Sequence, residues 1–202
     1  MRSRGVGQRA HQEKLINVSP PYEIRLIGDP VLRERASEIT EIDGRLASLA
    51  DDMVTTMYNA SGAGLAAPQV GVQKRLFVYD TGKGPQAIVN PEVREASGER
   101  AYEEGCLSIP GLYFTVIRAK EIHIVGFDLD GQELSIEADE YSARCFQHEL
   151  DHLDGVLFIE RLSDDDRKAA MKILREQKLQ AEDHLDADIA TPTAGRGRFT
   201  LR

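Results

Sequence analysis

His148-Glu149-Leu150-Asp151-His152 constrains this chain more than any other segment, because it reads H-E-x-x-H. Histidines four positions apart share one face of a helix about a turn apart, where both imidazoles can reach one cation. Glu149 adjoins them and can reach a water held by that cation. Chance alone produces the pattern about once in a hundred chains of this composition. Ala143, Phe146, Leu150 and Leu153 recur at helical spacing and Gly155 supplies a stop, so a partly buried helix from about Ser142 is predicted.

A catalytic site of this kind uses three protein ligands and keeps a position open for water, so a third ligand must come from elsewhere. One protease class places a histidine six residues after the second; here Gly155 fits that pattern but the final position is Phe158. Another class uses a downstream glutamate, for which Glu160 and Glu176 are available. Cys106, in Glu104-Gly105-Cys106-Leu107-Ser108, offers a thiolate from a glycine-containing loop across the fold. Cys145, three residues before His148, offers another sulfur. Spacing leaves these alternatives open. With only 2 cysteines, no disulfide framework is the main stabiliser, and reduced thiols are expected.

The 202 residues, 41% of them hydrophobic, suffice for one compact domain. Leu46, Leu49, Met53 and Met57 mark one face of a helix between Asp43 and Asn59, ended by Gly62 and Gly64. Strand-like runs follow at 76–79, 87–90, 121–125 and 133–137, the last two forming a hairpin around Asp130-Gly131. Ser163, with Asp166 three residues on, caps a final helix to about Ala181. This order predicts an α+β fold: mostly antiparallel strands around a central metal-binding helix, with an N-terminal and a C-terminal helix. Residues 1–20 read as a flexible basic arm, 21–182 as the catalytic domain and 183–202 as a disordered tail.

The formal charge is −9, so no basic field exists to hold nucleic acid, and DNA is excluded as a partner. No run approaches the roughly 18 to 20 apolar residues of a membrane-spanning helix, and the start lacks the apolar middle of a secretory signal. A cytoplasmic protein without a membrane partner is expected.

Gly62-Ala63-Gly64-Leu65-Ala66-Ala67-Pro68-Gln69, Glu104 to Ser108, and Gln147 to His152 resemble, in order, three motifs of the peptide deformylases. Gly28-Asp29-Pro30-Val31-Leu32 resembles that family's beginning, and the similarity runs from about Ile24 to the last helix. The resemblance implies a hydrolase that removes the formyl group from N-formylmethionyl nascent peptides. It implies Cys106, His148 and His152 as ligands of one divalent ion, Fe2+ natively, with Zn2+, Ni2+ or Co2+ as substitutes. It gives Glu149 the role of general base and acid, and assigns the oxyanion donors to the Gln69 amide and the Leu107 backbone N–H. Gly62 and Gly64 would let substrate pair as an added strand. Ala63, Tyr102, Leu107, Arg144 and Cys145 would line the methionine pocket, Arg144 by its aliphatic stem.

Glu104 and Arg118 also match family positions, Glu104 as an acceptor or ion-pair partner that orients a ligand. Tyr113-Phe114 departs from the pattern, because many relatives carry a basic residue near Tyr113 on the groove rim. A monomer is expected, and family analogy makes the last helix a transient ribosome contact. Lys168, Lys172, Arg175 and Lys178 lie there among acids, which equally reads as a solvated charged face. Two other readings stand beside the hydrolase: an endopeptidase using Glu176 as ligand, and a noncatalytic metal- or peptide-binding module.

Overall fold

Asp43 starts the first helix by accepting hydrogen bonds from the N–H groups of Arg45 and Leu46, at 3.0 and 2.9 Å. That helix, α1, spans Gly44–Asn59 and buries Leu46, Met53 and Met57 of the predicted apolar face, with Leu49 only partly buried beside them. In this computed structural model residues 19–189 are described, with side chains to residue 180. The predicted arm, apart from its last two residues, and the end of the predicted tail lie outside them.

Five strands form an antiparallel sheet in the order β1 (Gly64–Ala66), β2 (Leu76–Tyr79), β3 (Gln86–Ser97), β6 (Glu121–Phe127), β7 (Glu133–Asp139). A separate antiparallel pair is made by β4 (Arg100–Cys106) and β5 (Ile109–Arg118). The second helix, α2, spans Glu140–Leu153. Period-two alternation along β2 explains why all four of its residues are buried: Leu76 and Val78 pack with α1, whereas Phe77 and Tyr79 pack with α2. Phe146 on α2 sits 5.8 Å from the Phe77 ring and 4.6 Å edge-on from Tyr79. This packing holds the H-E-x-x-H helix against the sheet, as the predicted α+β architecture requires.

The β6–β7 hairpin turns at Asp130-Gly131 as expected, with Gly131 at φ 76° and Asp128 accepting from the N–H groups of Asp130 and Gln132. Strand β3 runs well past the predicted residue 90. Asn90 adopts φ 49°, the register shifts between Val89 and Glu92, and pairing with β6 resumes beyond Pro91. Such a bulge tolerates proline, which in sequence looks like a strand terminator. Strands β4 and β5 escaped prediction because their buried positions include Glu104 and Arg118, which satisfy one another rather than alternating with apolar residues.

Ser163 to Ile189 belong to a second unit. There Ser163 accepts from the Asp166 N–H at 3.2 Å and donates to its carboxylate at 2.8 Å, the predicted cap. The helix, α3, covers Asp164–Ile189 rather than ending near Ala181. Residues 183–189, read as tail from composition, contain neither glycine nor proline to stop it before Pro192. No helix among the described residues is long and apolar enough to cross a membrane.

Candidate metal centre and catalytic cleft

Helix α2 presents His148 and His152 together, their ring centroids 5.0 Å apart. Cys106 reaches them because it ends β4 at a tight, irregular turn, pairing with Ile109 directly after Gly105. Its Sγ lies 3.2 Å from His152 Nε2, and the ligand atoms of Cys106, His148 and His152 all fall within 4.8 Å of one another.

His148 Nδ1 donates to Glu104 Oε2 at 3.1 Å, which leaves its Nε2 to face the site. Burial alone would raise the Glu104 pKa, but hydrogen bonds from His148 and Arg118 outweigh it and hold the carboxyl down at about 2. Burial alone would lower His148, but Cys106 and Glu104 favour its charged form and raise it to about 10. Burial, then the nearby positive charge of His148 and Arg118, pushes His152 well below its ordinary value, so its ring is neutral. Its Nδ1 is buried without a hydrogen-bond partner among the described residues. A sulfur, one imidazole oriented by a carboxylate and one neutral imidazole, converging on one point, fit a divalent cation that takes nitrogen and sulfur ligands.

Glu149 is 4% exposed, and burial chiefly raises its carboxyl to about 7. Its Oε2 has no partner among the described residues, and its side chain lies so close to Gly64 that a Cβ there would stand 2.8 Å from its Cγ and Cδ. Gly64 is thus required by the carboxylate itself. Gly64→Ala is expected to displace Glu149 and lower kcat by about 10²-fold with metal content unchanged, measurable by steady-state kinetics beside metal analysis.

Gln69 is oriented by its own turn: Oε1 accepts from the Ala66 N–H at 2.8 Å, which aims Nε2 at Ser108 Oγ, 3.2 Å, and Cys106 Sγ, 3.8 Å. These groups open on a cleft of about 590 Å³, whose walls include Gly62, Ala63, Gly64, Leu107, Arg144 and Cys145. Tyr102 is not among the lining residues; its ring faces the Arg144 guanidinium at 5.6 Å. Tyr141 faces the same group at 4.8 Å, and Arg144 Nη1 donates to the Glu103 carbonyl at 3.0 Å.

The alternative ligands are engaged with other groups. Cys145 directs its sulfur to the Ala63 carbonyl at 3.7 Å, and burial raises its thiol well above the ordinary range. Glu160 pairs with Arg33, and Glu176, on α3, pairs with Lys172 at 3.9 Å. Arg118 grips Glu104 through Nε and Nη2 at 2.9 and 3.0 Å. Sequence reasoning missed Ser108, Asp151, Arg161 and Tyr141. Asp151 was findable, since it stands one helical step, three residues, after His148; Arg161 carries no signal in sequence.

An antiparallel sheet around an H-E-x-x-H helix, with a cysteine brought to both histidines, defines a metal-binding hydrolase. The polypeptide deformylase family model matches residues 21–168. The chain belongs to the peptide deformylase family, hydrolases that remove the formyl group from N-terminal formylmethionine. A peptide deformylase of Halothermothrix orenii is 52% identical over 145 residues, covering 71% of this chain and 94% of that relative. One from Acidothermus cellulolyticus is 44% identical over 173 residues, covering 86% and 96%. The crystal structure of the Thermus thermophilus peptide deformylase superposes with a TM-score of 0.75 at 42% identity, covering 81% of this chain and 98% of that one.

Proposed function

We propose that this chain deformylates nascent polypeptides beginning with N-formylmethionine, through the domain at 21–182, with Cys106, His148 and His152 holding one divalent ion. The arrangement carrying the proposal is a buried Glu149 carboxylate with one oxygen left unpartnered beside those three converging ligands. The ion, when bound, supplies Lewis acidity that acidifies a water and polarises the formyl carbonyl. We assign iron(II) as the native ion, with zinc, nickel and cobalt as substitutes, on the family resemblance of the three motifs.

Glu149 takes the proton of the attacking water and returns it to the departing amine nitrogen, so one carboxyl serves as base and then acid. The Gln69 Nε2–H and the Leu107 backbone N–H donate to the oxyanion of the tetrahedral intermediate. Support for the first is the turn that spends Gln69 Oε1 on Ala66 and leaves Nε2 toward the site. Among the described residues strand β1 pairs only with β2 in the sheet order, and Gly62, Ala63 and Gly64 border the cleft. An extended substrate adds along that edge by backbone hydrogen bonds, a mode indifferent to sequence. Its methionine side chain enters between Ala63, Leu107, Cys145 and the Arg144 stem, and the Tyr102 ring steadies Arg144. Formylated nascent chains are made in the cytoplasm, which is where we place the reaction.

Formate release from formyl-Met-Ala-Ser by anaerobically prepared, iron(II)-loaded protein tests this reading, and its pH profile tests the base. Glu149 acts as base when deprotonated, so kcat/KM rises with pH through the pKa of that carboxyl. The bare protein sets that value at about 7, and a nearby cation lowers it. The acid limb is therefore expected to level off by about pH 7. Activity that falls as pH rises through this range contradicts Glu149 as the base.

A further inference from the structure

The mechanism above leaves unused one buried charge within the metal-binding motif itself. Asp151 stands between the two histidines on α2, and its Oδ2 accepts from Arg118 Nη1 at 2.6 Å. Arg161 grips the same carboxylate as a fork, Nη2 on Oδ1 at 2.6 Å and Nε on Oδ2 at 3.2 Å. Arg118 also holds Glu104, which accepts from His148. The hydrogen bonds therefore close a ring: His148 on α2, Glu104 on β4, Arg118 on β5, and Asp151 back on α2 one turn from His148.

This ring spans the two elements that supply the ligands. Helix α2 carries both histidines, and β4 carries Cys106 two residues beyond Glu104. Tying the two elements together at these positions bears directly on the spacing of sulfur and nitrogen. With His148 neutral, as a metal ligand must be, Glu104, Arg118 and Asp151 leave one buried negative charge, and Arg161, whose side chain is 49% exposed, neutralises it from the outside. A forked guanidinium also fixes the plane of the carboxylate it holds, which a single point charge does not.

We propose that Asp151 and Arg161 are positioning residues for the metal centre, clamping Arg118 and through it Glu104 so that β4 and α2 hold Cys106, His148 and His152 at metal-binding separation. The inference rests on the assignment of those three residues as ligands. It predicts that Arg161 acts only through Asp151.

Cobalt(II) is the probe, because a cysteine ligand gives it a thiolate-to-metal charge-transfer band. Full-length wild type, Asp151→Asn, Arg161→Gln and the double variant are loaded, and the decay of that band in excess chelator gives the release rate. Melting of each metal-free protein is measured alongside. Asp151→Asn is expected to release cobalt about tenfold faster and Arg161→Gln roughly threefold faster, each with a displaced band. The double variant should be no faster than Asp151→Asn alone, and Arg161→Lys should recover part of the loss. Wild-type release rates in both single variants, or effects that multiply in the double variant, overturn the proposal. If Asp151→Asn does not fold, the Arg161→Gln rate decides: faster release supports the clamp and an unchanged rate overturns it. A wild type that binds cobalt without the charge-transfer band overturns the ligand assignment, and the inference with it.

Discussion

Glu149→Gln is expected to keep its fold and its metal while losing roughly 10³-fold in kcat/KM for a formyl peptide. The substitution preserves shape, so the fit against Gly64 survives. It removes the group that, in the proposed mechanism, both accepts and returns the proton, and the nearby buried carboxylates offer no substitute: Glu104 is committed to Arg118 and His148, and Asp151 to Arg118 and Arg161. Because Glu149 Oε2 has no partner among the described residues, the change breaks no hydrogen bond at that oxygen. The melting temperature should therefore hold or rise, the pattern of a residue kept for chemistry at a cost in stability. Activity within tenfold of wild type in a metal-replete variant contradicts the assignment.

Cys106→Ser is expected to lose the metal and, with it, essentially all activity. A serine hydroxyl does not ionise near neutrality and is a harder, weaker ligand than thiolate for ions that accept sulfur. The substitution is nearly isosteric, so metal content after dialysis against chelator reads ligation rather than folding. Glu176→Ala should retain the ion, and so should Cys145→Ser, whose sulfur faces the Ala63 carbonyl. The opposite pattern, metal lost in Glu176→Ala and kept in Cys106→Ser, would establish the endopeptidase arrangement instead.

The parts of this architecture legible in sequence are those whose signal is local. Helix α1 follows from Asp43 and four apolar residues, and the β6–β7 hairpin from Asp130-Gly131 between alternating strands. His148 and His152 needed only helical spacing to be placed on one face. Cys106 is different: nothing within β4 says that its sulfur lies 3.2 Å from His152, and only the family motif selected it over Cys145. The β4–β5 pair hid for a related reason. Two of its buried positions, Glu104 and Arg118, are charged and pair with one another beside His148, so the apolar alternation that reveals strands is broken there. Arg161 was invisible because its partner, Asp151, joins it through folding rather than through any pattern either displays alone.

Mass spectrometry of the products formed from formyl-Met-Ala-Ser by iron(II)-loaded protein tests the central claim most directly. The account predicts one peptide product, the intact tripeptide with a free amino terminus, accompanied by an equal amount of formate, both formed roughly 10³-fold more slowly by the metal-loaded Glu149→Gln variant. Shorter fragments from cleavage at an internal peptide bond, or unchanged substrate with metal-replete wild type, would contradict it.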